Sequence, residues 1–210
     1  VTQFLVVFDV DSTLIEDEVI ELLADVAGKR EEVAAVTERA MAGELDFAES
    51  LIERVKTLAG LPESVFTDVQ KRITITTGAK RLIDAVHAAG GKVGAVSGGF
   101  NQLLAPLAQI LELDFARANQ LEVVDGYLTG KVLGAIVDRQ AKADALIEWA
   151  AITGTPLEQT VAVGDGANDL SMMAVAGLGV GFNCKPIVRE HADFILEGND
   201  LSKLTEKLGI

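Results

Sequence analysis

Residues 4–14 read FLVVFDVDSTL: an apolar run leads into Asp9, Val10 and Asp11, then into Ser12, Thr13 and Leu14. An unbroken run of β-branched and aromatic residues specifies a strand buried on both faces, assigned to residues 3–9. Its abrupt polar stop places Asp9 at the carboxyl end. Two like charges two residues apart each raise the cost of ionising the other. They require a partner that this stretch does not contain, unless DVDST is only a turn with an aspartate helix cap.

Beyond the strand, residues 16–72 carry helical patterns alone. EDEVIELLADVAG (16–28) sets Val19, Leu22, Leu23 and Val26 on one face and ends at Gly28. REEVAAVTERAMAG ends at Gly43, DFAESLIERVKTLAG ends at Gly60, and PESVFTDVQKRI follows Pro62 as a fourth helix. After residue 73, helix and strand signals alternate: GAKRLIDAVHAAGG, KVGAVS, NQLLAPLAQILE, a hairpin around Asp125-Gly126, QAKADALIEWAAITG, TVAVGD, ANDLSMMAVAG, LGVGF and ADFIL. Alternation of this kind implies a doubly wound parallel sheet. The expected fold is therefore α/β: a Rossmann-like parallel-sheet core of residues 1–14 and 74–210. A small helical bundle, residues 15–73, is inserted after the first strand as a cap.

Composition narrows the function. The 210 residues are 49% hydrophobic but only 5% aromatic, which suits helices packed on a parallel sheet. A net charge of −14 disfavours nucleic acid and anionic membranes as partners. A small anionic substrate is still compatible, because screening confines exposed charge to about 8 Å at physiological salt. No apolar run approaches a membrane span, and residues 3–8 are too short for a signal peptide. Cys184 is the only cysteine, which points to a reducing compartment, the cytoplasm.

In an open parallel sheet, ligands bind beyond the carboxyl ends of the strands. Asp9, Ser97 and Asp165 each end a strand, so residues far apart in sequence converge on one crevice. Asp9, Asp11 and Asp165, with Asp169 as a fourth candidate, would repel one another without a cation. All-oxygen donors with no nearby His or Cys favour a hard ion such as Mg²⁺. Ser97 opens SGGF, a turn able to cradle a phosphate or merely to cap a helix. Lys142 lies at a helix start, where a cation is disfavoured. It faces solvent or offsets charge on Asp9 and a transferring phosphoryl group. Arg54 sits in the apolar stripe of Phe47, Leu51 and Leu58; it snorkels, or it forks onto a substrate carboxylate. Glu18 is a dipole-favoured acid or a receptor for an ammonium group. His87, His191, Cys184, Trp149, Met172 and Met173 read as structural or surface residues.

DVDST, SGG, a lone lysine before a helix and GDGAND stand in the order found in haloacid dehalogenase-like phosphatases, and the sequence closely resembles that family over nearly its whole length. The resemblance implies Mg²⁺-dependent hydrolysis of a small phosphomonoester, O-phospho-L-serine, through an aspartyl-phosphate, as a step in making serine. Asp9 would be the nucleophile and Asp11 the proton donor and then base. Mg²⁺ would be held by the Asp9 side chain, the Asp11 carbonyl and Asp165. Ser97, Gly98 and Lys142 would bind phosphoryl oxygens, with Asn168 and Asp169 supporting metal and phosphate. Glu18 would take the substrate amine and Arg54 its carboxylate, while Met41 and Phe47 shield the site. Val10 departs from the Phe or Met common at that position in relatives. Some relatives carry N-terminal regulatory domains, absent from these residues. Oligomeric state is left open, with a homodimer as one option.

Two alternatives stand beside this reading. One is a phosphatase or phosphotransferase acting on another small phosphomonoester. The other is a phospho-accepting receiver, which also gathers acids, a hydroxyl and a lysine around Mg²⁺. A receiver, however, accepts phosphate at a later strand and has no helical insertion after its first.

Overall fold

A computed structural model describes residues 4–41 and 44–210, without the side chains of Ala40 and Met41. The quoted stretch forms β1 (Leu5–Phe8), and all four of its residues are fully buried. Its side chains alternate between two cores: Val6 and Phe8 point into one, Leu5 and Val7 into the other. This explains why the run is apolar at every position rather than at every second one.

Four helices follow: α1 (Val19–Val26), α2 (Arg30–Met41), α3 (Phe47–Lys56) and α4 (Val65–Gln70). α1 packs on α2 and α4, and α2 packs on α3. A reciprocal capping box starts α3, in which Asp46 accepts from Glu49 N at 2.8 Å and Glu49 accepts from Asp46 N at 2.9 Å. Gly28 (φ 69) closes α1 in the left-handed conformation expected of helix-ending glycines, and Gly60 (φ 82) ends the turn that follows α3. The expected stop at Gly43 lies outside the described residues.

The core resumes with α5 (Ala79–Ala88), β2 (Lys92–Phe100), α6 (Asn101–Leu111), β3 (Phe115–Val124) and β4 (Tyr127–Leu133). It continues with α7 (Arg139–Thr153), β5 (Thr160–Gly164), α8 (Leu170–Val175), β6 (Leu178–Phe182), α9 (Pro186–Arg189), β7 (Phe194–Leu196) and α10 (Leu204–Leu208). The sheet order is β4-β3-β2-β1-β5-β6-β7, parallel throughout except for the β3–β4 hairpin. Asp125 (φ 52) and Gly126 (φ 81) make that hairpin turn, as the sequence predicts. The chain builds outward from β1 to β4 and then crosses back to β5. The switch point therefore lies between β1 and β5, where Asp9 and Asp165 emerge.

Two boundaries differ from the sequence reading. α1 begins at Val19 rather than Glu16, because residues 15–17 serve the joint between insertion and core. Ile15 bridges Ile75, Glu16 N donates to Thr74 O at 2.9 Å, and Thr74 N donates to the Asp17 carboxylate at 2.6 Å. β2 runs on to Phe100 rather than ending at Ser97, with an irregularity in its pairing to β3 between Val96 and Phe100.

Candidate active site

Asp9 is 4% exposed and is fixed to the sheet by its N–H, which donates to Val163 O at 2.8 Å. Its Oδ1 accepts from Val10 N at 2.7 Å and lies 2.7 Å from Lys142 Nζ. Lys142 is 1% exposed and also donates to Asp169 Oδ1 at 2.7 Å. An N-cap on α7, the Asp138 side chain accepting from Ala141 N, sets the turn from which the lysine projects. The unfavourable helix-start lysine thus has its anionic partners, two of them. Asp169 is fully buried, and its Oδ2 accepts from Asp165 N and Gly166 N, each at 3.1 Å.

Oxygens of Asp9, Asp165 and Asp169 lie within 4.8 Å of one another. One buried cation among three carboxylates leaves negative charge uncompensated, and the acidities register it. Burial, followed by the Asp169 charge, pushes Asp9 up to about 8 despite Lys142. Burial pushes Asp165 up to about 6, opposed chiefly by Lys185. Burial, then Glu18 and Asp9, holds Asp11 well above the usual carboxylate range. Burial would lower the Lys142 ammonium, but Asp9 and Asp169 outweigh it and keep the group charged. Hard oxygen donors carrying excess charge fit a hard divalent cation such as Mg²⁺. Both oxygens of Asp169 are already engaged, so Asp9 and Asp165 are the freer donors. The Asp11 carboxyl points elsewhere: Oδ2 accepts from Val19 N at 3.4 Å, and Oδ1 is buried with no hydrogen-bond partner.

Beside the carboxylates, Ser97 is 2% exposed and its Oγ accepts from Gly99 N at 2.8 Å. A buried asparagine that sequence reasoning missed, Asn119 on β3, holds this turn. Its Nδ2 donates to Gly98 O at 2.9 Å, and its Oδ1 accepts from Val137 N at 2.8 Å. The glycines here admit neighbours rather than unusual dihedrals. A Cβ on Gly98 would come within 2.9 Å of the Phe47 ring, and one on Gly99 within 2.7 Å of Val19 Cγ2. The insertion therefore rests directly on the SGG turn.

A cavity of about 110 Å³ opens between these elements, with Asp9, Asp11, Ser97, Gly98, Asp165 and Asn168 on the core side. Glu18, Phe47 and Arg54 line it from the insertion. Arg54 is half-buried; burial lowers its pKa, while Glu18, Asp11 and Glu21 act to keep it charged. Its Nε donates to Ser50 O at 3.2 Å. The Met41 side chain expected here lies outside the described residues. Lys185, which sequence reasoning also missed, lines the rim with its Nζ 3.5 Å from Asp165 Oδ2 and its side chain 65% exposed. It lies in the NCKP turn (183–186) that follows β6.

The remaining residues behave as expected. His87 pairs with Asp114 at 2.8 Å near the surface, Trp149 stacks on Phe115, and Cys184, Met172 and Met173 are buried. No helix among the described residues is long and apolar enough to cross a membrane.

Residues 6–174 match the family model described as haloacid dehalogenase-like hydrolase. Curated relatives include a phosphoserine phosphatase of Streptococcus thermophilus, 53% identical over 97% of this chain and 95% of its own length. Another, from Mycobacterium tuberculosis, is 54% identical over the whole chain. The chain spans about half the length of that relative, 51%, and of a 56%-identical Streptomyces coelicolor phosphoserine phosphatase. Among solved structures, a phospho-aspartyl intermediate analogue of phosphoserine phosphatase superposes with a TM-score of 0.92 at 44% identity, covering 99% of both chains. A substrate-bound phosphoserine phosphatase complex gives 0.92 at 43% identity with the same coverage.

Proposed function

The chain belongs to the haloacid dehalogenase-like hydrolases, and we propose that it is a phosphoserine phosphatase, hydrolysing O-phospho-L-serine to serine and phosphate. The observation that carries this reading is the pairing of two groups across one cavity. The Asp9–Lys142–Asp169 chain lies beneath it, and Glu18 and Arg54 face it from the insertion. The first can transfer a phosphoryl group; the second offers one acceptor and one donor for the two ends of an amino acid.

In the proposed reaction an Asp9 carboxylate oxygen attacks phosphorus, and the ester P–O bond breaks as the new O–P bond forms. The Asp11 carboxyl, kept protonated by its burial, gives its proton to the departing serine oxygen. It then takes a proton from the water that attacks phosphorus, and the Asp9–phosphorus bond breaks to regenerate the carboxylate. Lys142, anchored between two acids, stays charged at the reacting centre and faces the developing phosphoryl charge. Ser97 and the Gly98 N–H groups hold phosphoryl oxygens, and Asn168 orients the same shell. Arg54 forks onto the substrate carboxylate, Glu18 accepts its ammonium group, and Phe47 excludes water. Mg²⁺ would be held by Asp9, Asp165 and the Asp11 carbonyl, with Asp169 behind them. Bound there, it would neutralise charge so that an anionic nucleophile can meet an anionic phosphate. Residues 15–73 act as the lid, residues 1–14 and 74–210 as the catalytic body, and the reducing cytoplasm is a compartment that suits Cys184.

A phosphate-release panel tests the reading: phosphoserine, phosphothreonine, sugar phosphates, nucleotides and an aryl phosphate, each with Mg²⁺ or with chelator. Phosphoserine is expected to lead. Arg54→Ala should weaken phosphoserine turnover far more than aryl phosphate turnover. Equal losses on both substrates would refute the role given to Arg54.

A further inference from the structure

The turn that follows Asp11 holds a serine where glycine would be easier. Ser12 has φ 55, in the left-handed region that L-residues enter reluctantly and glycine enters freely. What the serine adds is its hydroxyl. Oγ donates to Glu18 Oε1 at 2.7 Å, reaching six residues ahead to the residue that precedes α1. The Ser12 N–H donates to Asp17 O at 3.2 Å, so backbone and side chain together close the loop between the reacting turn and the insertion. Among the described residues, no other group hydrogen-bonds the Glu18 side chain.

We propose that Ser12 is a positioning residue for substrate selection, which fixes the Glu18 carboxylate so that its remaining lone pairs meet an ammonium group in the cavity. The inference rests on the reading that Glu18 receives the substrate amine. A glutamate has three rotatable side-chain bonds and would otherwise occupy several rotamers. One bond on Oε1 selects among them and leaves Oε2 to accept from the ligand. Amino-group recognition is thereby tied to the same five-residue turn, Val10–Leu14, that carries Asp11 and is capped by Asp9.

Ser12→Gly is the informative variant, because it removes the hydroxyl at a position whose backbone suits glycine. It would be compared with Glu18→Gln and the double variant, on phosphoserine and on 3-phosphooxypropanoate, the same molecule without its amine. The quantity read is the ratio of kcat/KM for the two substrates, which does not depend on the fraction of protein folded. Ser12→Gly is expected to lower that ratio about tenfold, mainly through KM for phosphoserine, as for loss of one hydrogen bond to a charged group. The double variant should discriminate no worse than Glu18→Gln alone, because Ser12 acts through Glu18. If Glu18→Gln lowers the ratio and Ser12→Gly does not, or Ser12→Gly weakens both substrates equally, the role of Ser12 is overturned while that of Glu18 stands. If Glu18→Gln leaves the ratio unchanged, the assignment of the amine to Glu18 fails and takes the Ser12 proposal with it.

Discussion

Lys142 shows how much of this site is electrostatic. It is buried and lies 2.7 Å from each of two buried carboxylates, so an uncharged replacement strands negative charge in a low-dielectric interior. Breaking a buried pair from one side costs about 3–5 kcal/mol. Lys142→Met should therefore unfold at markedly lower denaturant concentration, and the loss should be larger at pH 8 than at pH 5. The sign follows from Asp9, already raised from 3.8 to about 8. A folded carboxylate with a raised value binds more protons than the unfolded one, so stability falls as pH climbs from about 4 through 8. The same sign governs metal. A cation must displace those protons, so the rise in melting midpoint on adding Mg²⁺ should grow from pH 5 to pH 8 and vanish in Asp9→Asn/Asp165→Asn. A Mg²⁺ shift independent of pH would contradict the assignment of these carboxylates. At this scale the sequence was informative where a residue was chemically out of place: paired acids ending a strand, a lysine starting a helix, an arginine in an apolar stripe. Lys185 and Asn119 gave no such signal. A lysine in a turn is ordinary, and an asparagine in a strand declares its role only once Gly98 O and Val137 N stand beside it.

Among the elements, β1 was legible because burial on both faces writes itself as unbroken hydrophobicity, and the hairpin because Asp-Gly prescribes its turn. The true end of β2 was not. SGG looks like a break, yet here glycine is required by what lies over the strand, the Phe47 ring and the Val19 methyl groups. Glycine in a strand marks close approach as often as a turn. Gly94, earlier in β2, makes the same point, since a Cβ there would stand 2.6 Å from Cζ3 of the buried Trp149 ring. Trp149 is held by stacking on Phe115, with ring centroids 5.3 Å apart, and has little room to yield. Gly94→Ala should cost about 1–3 kcal/mol by overpacking. The measurement is urea denaturation, and kcat at a temperature where the variant stays folded should be largely kept, because Trp149 lies two helical turns along α7 from Lys142.

For the whole molecule, the question is how the insertion is attached over the cavity. The sequence reading takes it as residues 15–73 but could not show how it is attached, since its ties include backbone hydrogen bonds to distant segments. One tie is the joint where Ile15 bridges Ile75 and Thr76 N donates to Leu14 O at 2.9 Å. A second lies along the exposed edge of β4. Gly60 N donates to Leu128 O at 2.8 Å, Leu128 N to Leu61 O at 2.9 Å, and Glu63 N to Gly126 O at 2.8 Å. The segment between α3 and α4 is thus pinned to the hairpin, and the pairing also covers an edge that would otherwise be open. Helices α1 and α3 meet the SGG turn through side chains alone, Val19 and Phe47, with Phe47 still 38% exposed. Closure over a ligand should therefore consist of α1 and α3 settling onto the cavity about a fixed β4 edge, not of a rigid lid swinging free. Hydrogen exchange on Asp9→Asn, expected under the proposed mechanism to bind substrate without consuming it, reads this directly. With Mg²⁺ and phosphoserine, amides in α1 and α3 should slow by tenfold or more, a modest shift in a local opening equilibrium. Amides of Gly60, Glu63 and Leu128 should be protected already and barely change. Equal protection gained across both regions would mean that the β4 edge opens with the lid, and no change in either would mean that the insertion is closed before substrate arrives.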